Sequence, residues 1–279
     1  MEPENGDKNI HVTRRVVTEA ARAVGIVLGD VMIFHSSLSS MGTVDRGPNT
    51  LIDGLLDAVG PEGTVAVPTL CNWKQGEQHL VFPTWNPATS PSYVGKITEV
   101  FRARPDAVRS DQATHSVAAI GKRAVELTAD HGAYGQRPGP YSERAFAEAS
   151  PWQRLYDWNG AYCFIGVTFR VCTMVHFVET QLMLRALDRV APDKRAAALE
   201  EVEGWMKPGA WLNIINAERE TLEKHLADHG KAHYAKLGSA TFRMARARDL
   251  VDEWIPLVEA EPAKWIAPKA VEWLAKIGA

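Results

Sequence analysis

Cysteine is scarce in this sequence, neither sign of charge dominates, and no long apolar run occurs. Three cysteines in 279 residues, Cys71, Cys163 and Cys172, make an odd number with no CxxC pair. That weighs against a disulfide framework and against a cysteine-rich zinc site, and it makes the cytoplasm the expected location. The 31 Lys and Arg against 34 Asp and Glu leave a net charge of -3. A protein that grips a phosphate backbone carries a basic excess, so nucleic acid is not an expected partner. No stretch approaches the roughly 18 apolar residues of a membrane span, and the start MEPENGDKN lacks the apolar centre of a signal peptide. Membrane is therefore not an expected partner either.

Several mechanism-bearing motifs are also missing. The sequence holds no GxxxxGK[ST] phosphate loop, no GxGxxG after a strand, no HExxH and no GxSxG elbow. Nucleotide hydrolysis, dinucleotide redox chemistry, zincin proteolysis and the common serine-hydrolase mechanism all lose ground. The R/Q-x-x-G-x-G/A signature of small N-acetyltransferases is absent too.

What is present is a 46% hydrophobic chain, long enough to bury a sizeable core. Apolar residues recur at helical spacing from Val12 to about Val24, and the short run VMIF at 31 to 34 reads as a buried strand. A helix near 49 to 59, with Asn49 or Thr50 offered as cap, leads to GTVAVPT, a strand ended by Pro68. This alternation is the rhythm of an α/β sheet. A long connection, 69 to 92, reads as a lid or substrate wall. Further strands are expected at Val117 to Ile120 and in AYCFIGV at 161 to 167, and helices at about 93 to 104, in SPWQRLYDW and at 173 to 187. Beyond Arg189 the pattern weakens to helices near 217 to 229, 247 to 258 and 262 to 277, with a strand around 241 to 245. Residues 1–9 are expected to be a flexible tail, 10–279 a single domain, and 190–279 an accessory layer on it.

Three segments carry chemistry. In FHSSLSSMG, small hydroxyl residues follow a strand at its carboxyl end, where α/β sheets bind ligands, although serines also simply cap and turn. In THSVAAIG, His115 and Ser116 stand at the entry to a strand and would alternate across the sheet. In TMVHFVE, a spacing of three puts Thr173, His176 and Glu179 on one helical face, so the carboxylate can hold the imidazole in one tautomer as a general base needs. A buried histidine paired with a surface glutamate would show the same spacing. His225, His229 and His233 recur four apart, but the helix pattern fades near Gly230, so no metal is expected.

HSSLSSMG, GPNTLIDGLLDAVGPEGTVAVPT, RS…THSVAAIG, SPWQRL, GAYCFIGV and CTMVHFVE occur in the order and spacing that resemble the aminoglycoside 3-N-acetyltransferase family, also called the antibiotic N-acetyltransferases. The resemblance covers about residues 12 to 187, with a weaker echo in RARDLVD. It implies an α/β fold with a central mixed sheet flanked by helices and an accessory C-terminal helical layer, distinct from the small GNAT-type fold. It implies acetyl-CoA as cosubstrate, with no metal, and direct transfer to an amine of an aminoglycoside, conferring resistance. It places His35, Ser36, Ser37, Leu38, Ser39, Ser116 and Val117 against coenzyme A, and makes His176 and Glu179 the catalytic pair. A cationic acceptor needs carboxylates and sugar-stacking rings, for which Asp157, Asp45, Glu201, Glu203, Trp73 and Trp85 are candidates, with His115 beside the acceptor as a rival base.

The sequence departs from the family pattern in one informative place. Members often carry His-Pro just before the TxS segment, whereas Gln112 and Ala113 stand there, and the stretch 135 to 152 is longer than usual. The acceptor nitrogen is therefore left open, and the 2′-amine of a kasugamycin-like compound is compatible. Also open are acylation of a biosynthetic amine, a serine hydrolase built on Ser36 or Ser116, a binding protein without turnover, and assembly as a homodimer.

Overall fold

The computed structural model describes residues 5–72, 74, 77, 82–132, 144–207 and 211–278. Along the chain the elements are β1 (His11–Val12), α1 (Arg14–Ala23), β2 (Val31–Ser36), β3 (Thr43–Val44), α2 (Pro48–Val59) and β4 (Thr64–Pro68). Next come α3 (Lys96–Arg102), β5 (Val108–Arg109), β6 (Val117–Gly121), α4 (Ala124–Thr128), α5 (Pro151–Asp157), β7 (Ala161–Ile165) and α6 (Val175–Asp188). The last third adds α7 (Pro192–Glu203), α8 (Arg219–Asp228), β8 (Ala232–Leu237), β9 (Ala240–Arg246), α9 (Ala247–Ala260), α10 (Pro262–Trp265) and α11 (Pro268–Ile277).

Local chemistry sets the starts of these helices. Thr13 caps α1 by accepting from the Val16 amide, and Ser150 caps α5 by accepting from Gln153, with Pro151 in the first turn where its missing N–H costs nothing. At α2 the cap is Gly47, with Pro48 next, rather than the expected Asn49 or Thr50. Gly47 sits at φ +65°, a backbone turn that glycine makes without strain.

Seven strands form one mixed sheet in the order β5-β6-β4-β2-β7-β9-β8. The centre is parallel, with β2 between β4 and β7, and the outer strands are antiparallel. Strands covered on both faces read as continuous apolar runs, as VMIF and AYCFI do. Their side chains split with a period of two. Met32, Phe34, Val65, Val67, Cys163 and Ile165 join Val17, Leu51 and Leu55 of α1 and α2 in one core, while Ile33, Ala66, Tyr162 and Phe164 join Trp152, Val175, Val178 and Trp254 in the other. The large aliphatic and aromatic side chains among them each contribute about 1.5–3 kcal/mol by leaving water, so the two layers are the main source of stability. The three cysteines are buried and free. No helix among the described residues is long and apolar enough to cross a membrane.

The segment after Arg189 supplies the expected helices and the expected strand near 241–245, here β9, with the helix read over 262–277 broken into α10 and α11 at Ile266–Ala267. It contributes β8 and β9, which extend the central sheet, with β9 lying directly on β7. It also contains α7, which its alanine-rich, weakly patterned sequence did not announce. The described part of the expected tail, residues 5–9, is anchored. Gly6 donates its amide to Ser39 O at 2.8 Å, Asp7 to Ser239 Oγ at 2.8 Å, and Thr43 Oγ1 donates to Lys8 O at 2.8 Å. Backbone passes so close here that a Cβ on Gly6 would stand 2.4 Å from Ser40 O.

The topology fixes where a site can form. From β2 the chain crosses through α2 to β4 on one side, while β7 lies on the other. The loops after β2 and β7 stand side by side at the carboxyl edge, Ser37 donating its amide to Ile165 O at 2.9 Å, and it is at this edge that open α/β sheets bind ligands.

Candidate active site

The carboxyl edge of β7 delivers His176 in the first turn of α6. Its Nδ1 lies 2.8 Å from Glu179 Oε2, one helical turn on, and Glu179 is fully buried while the His176 side chain is 12% exposed. The other carboxylate oxygen, Oε1, accepts the amides of Ile214 and Ile215, each at 2.7 Å. A carboxylate only accepts, so the imidazole donates from Nδ1 and keeps a bare lone pair on Nε2. Three donors around one buried carboxylate are what such a group needs to be stable away from water.

His115 stands beside this pair, its ring centroid 5.7 Å from that of His176, and both rings face Phe146 and Trp211. Thr114 Oγ1 donates to Gln112 Oε1 at 2.9 Å, so its lone pair accepts His115 Nδ1–H at 3.0 Å. His115 thus also presents an unprotonated Nε2. Burial first, then the neighbouring His176 and His131, hold its pKa well below the ordinary imidazole range. Gln112 Oε1 additionally accepts the His115 amide at 2.6 Å, so the residue that departs from the family pattern orients the histidine next to His176.

On the other side of β2 the loop Ser36, Ser37, Leu38 and Ser39 lines a cleft of about 630 Å³ together with Lys8, Gly47, Lys96 and Thr98. The described lining holds two cations and no carboxylate. Ser36 Oγ is buried and has no hydrogen-bond partner. A cleft of this size with an orphan hydroxyl and two ammonium groups has the chemistry to take an anionic, hydrogen-bonding molecule.

The structure does not bring every expected residue to these two places. His35 turns to the opposite face of β2, where its Nε2 meets the Tyr162 hydroxyl at 2.6 Å; burial lowers its pKa to about 3, with Arg219 adding a smaller push. Ser116 and Val117 are fully buried in β6 and its approach. The Ser116 hydroxyl donates to Thr69 O at 2.7 Å and accepts from Arg109 Nε at 3.1 Å, so its hydrogen bonds are spent inside the fold. Arg109 also donates to Ser90 O and Pro87 O and lies over the Trp85 ring, which pins the described part of the 69–92 connection as a wall. Trp85 is consequently buried, and Trp73 lies outside the described residues. Asp157 ends α5 before β7 begins, at the far edge of the sheet from His176, and accepts from Gln153. Asp45, Glu201 and Glu203 pair with His11, Lys276 and Arg144. His225 is engaged by Glu253, and His233 lies on β8 rather than on the helix.

Residues that sequence reasoning did not single out include Lys8 and Lys96, the Ile214 and Ile215 amides, Phe146, Trp211 and Tyr162. A glutamate in an otherwise apolar helix face is the one sequence signal that could have called for the two amides, since a buried carboxylate must find donors.

A model of the aminoglycoside 3-N-acetyltransferase family matches residues 33–259. The chain belongs to that family. Aminoglycoside N(3)-acetyltransferase VII of Streptomyces paromomycinus is 32% identical over a 277-position alignment covering 89% of this chain and 92% of the relative. The aminoglycoside N(3′)-acetyltransferase-like protein YokD of Bacillus subtilis is 28% identical, covering 87% and 92% of the two chains. Among solved structures, the apoenzyme of aminoglycoside acetyltransferase AAC(3)-IVa superposes with a TM-score of 0.72 at 20% identity over 94% of both chains. The AAC-IIIb binary complex with CoASH gives 0.69 at 20% identity over 90% of this chain and 97% of that one. The fold is that of these acetyltransferases and not the small GNAT-type fold.

Proposed function

We propose that this protein transfers the acetyl group of acetyl-CoA to an amino group of an aminoglycoside antibiotic and so confers resistance, with His176 as general base and Glu179 as the group that orients it. The observation that carries the reading is the His176–Glu179 hydrogen bond of 2.8 Å, which frees Nε2 at the carboxyl edge of β7. Family membership and the relatives' names support the reaction class. So do the neighbours in complex with CoASH and with sisomicin.

An ammonium has no lone pair, so His176 Nε2 first removes a proton from it. Acetyl-CoA supplies the activated acyl carbon; the freed nitrogen attacks that carbonyl, the C–S bond breaks, and the second proton the nitrogen sheds on becoming an amide accounts for the one that turns the leaving thiolate into the free thiol, the first being left on His176 and released to solvent. Ser36–Ser39, Lys8 and Lys96 hold the cosubstrate, and closeness of amine and thioester supplies much of the acceleration. No acyl-enzyme is needed, in keeping with the absence, among the described residues, of a serine hydroxyl bonded to His176. That same absence disfavours the serine-hydrolase alternative, because Ser116 is already engaged by Thr69 and Arg109.

The test incubates the enzyme with acetyl-CoA and a panel of aminoglycosides, including kasugamycin, follows thiol release, and locates the acetylated nitrogen by NMR. His176→Ala should abolish turnover while acetyl-CoA still binds in calorimetry. Near-normal turnover in that variant would remove His176 from the role, and thiol release without an amine would turn the reading toward hydrolysis. Kasugamycin is included because Gln112 and His115 shape the wall beside the base.

A further inference from the structure

The hydroxyl of Tyr162 joins three elements that the proposed reaction must keep in register. Tyr162 lies on β7 opposite Ile33 of β2, and His35 lies opposite Phe164, so Tyr162 and His35 are diagonal neighbours on the face that meets α6. From there the Tyr162 oxygen accepts the Thr173 amide at 2.9 Å and the Met174 amide at 3.4 Å. These are the residues that lead into α6, whose capping residue Met174 makes no side-chain cap of its own. The amides of the two residues that precede the first turn of α6 therefore find their acceptor in a side chain from the sheet. Thr173 in turn accepts the His176 amide on its carbonyl at 3.1 Å. One hydroxyl, two amides and one carbonyl thus connect β7 to the backbone of the base.

The proton count completes the node. A phenol has one proton and two lone pairs. With the Thr173 and Met174 amides donating to the phenol oxygen, its proton is free to go to His35 Nε2, 2.6 Å away, and in that arrangement His35 carries its own proton on Nδ1. His35 is held between Phe164, whose ring stacks on it at 5.6 Å, and Tyr162, and burial keeps the imidazole neutral as this role requires. Burial likewise keeps the phenol protonated. His35 is also the residue immediately before Ser36, the first residue lining the cosubstrate cleft.

We infer that Tyr162 is a positioning residue for the acetyl transfer: it anchors the two residues that lead into the helix carrying His176, and His35 fixes the phenol so that the cosubstrate loop and the base hold one mutual register. The inference rests on the reading of His176 as base.

The experiment measures kcat and both KM values for Tyr162→Phe, His35→Leu, His35→Gln and the double variant Tyr162→Phe with His35→Leu, beside His176→Ala. Tyr162→Phe should lower kcat about tenfold and leave both KM values within about twofold, since the base is misplaced while the binding surfaces remain. His35→Leu should lose a similar factor, His35→Gln should recover most of it because an amide oxygen can accept from the phenol, and the double variant should be no worse than Tyr162→Phe. Wild-type kcat in Tyr162→Phe overturns the inference, as does additive loss in the double variant. If Tyr162→Phe fails to fold, the contrast between His35→Leu and His35→Gln decides alone: equal kcat in the two refutes the node. An active His176→Ala would instead refute the base, which separates the two failures.

Discussion

The polar groups around His176 and those around Ser36 are treated in opposite ways. At His176 each acceptor lobe of the buried Glu179 is used, by the imidazole on one side and by Ile214 and Ile215 on the other. In the Ser36–Ser39 cleft a buried hydroxyl has no partner, and Lys8 and Lys96 face a lining that holds no carboxylate among the described residues. A base must be held in one tautomer before the substrate arrives, so its hydrogen bonds are closed within the fold. A binding cleft needs hydrogen-bonding capacity left over for its ligand. The two regions lie at the ends of adjacent parallel strands, and the difference between them is the one expected if, as proposed, the first acts as base and the second binds the cosubstrate.

The strongest way to break this comparison is Glu179→Gln. The Ile214 and Ile215 amides require an oxygen, so the new side chain must place its NH2 toward His176 Nδ1. That nitrogen then has to accept, which moves the ring proton to Nε2 and removes the lone pair that would take the amine proton. We expect kcat to fall roughly 10³-fold or more, by analogy with tautomer inversion in other triads, with the melting temperature nearly unchanged because the two backbone bonds persist. Steady-state kinetics and a thermal melt measure both. A loss of stability with kcat intact would make the glutamate structural only.

A smaller effect should come from the cleft. Replacing Lys8 and Lys96 together by alanine should raise KM for acetyl-CoA by about tenfold at low salt, leave kcat unchanged, and matter less as ionic strength rises. Salt-independent KM in the wild-type enzyme would show that these ammonium groups do not meet the phosphates.

The same contrast explains what could be read in the sequence. Strands β2, β4 and β7 and helices α1, α2, α5 and α6 were legible because apolar runs and caps are local signals, and the pairing of His176 with Glu179 was legible because three residues on a helix make one turn. The donors that make Glu179 stable lie 35 and 36 residues away in sequence, and the Tyr162 hydroxyl that meets His35 lies 127 away. No spacing rule reaches that far. Asp157 was nominated for its charge alone, which carries no information about which edge of the sheet it occupies. Ser116 looked like Ser36 because a serine beside a strand reads the same whether Arg109 and Thr69 consume its hydroxyl or nothing does.

Those two serines give the smallest and sharpest prediction. Ser116→Ala removes one of the two acceptors of Arg109 Nε and one of the two donors to Thr69 O, while Thr69 Oγ1 and Arg109 Nη2 remain as their partners, so it should lower stability by about 0.5–1.5 kcal/mol and leave KM for acetyl-CoA alone. Ser36→Ala removes a hydroxyl that bonds to nothing in the protein, so stability should hold or rise slightly. If that hydroxyl is kept for the cosubstrate, KM for acetyl-CoA should rise by about threefold to tenfold, the worth of one neutral hydrogen bond. Melting curves and acetyl-CoA titrations on the two variants test both halves at once. An unchanged KM in Ser36→Ala, or a shifted KM in Ser116→Ala, would exchange the roles given to the two loops.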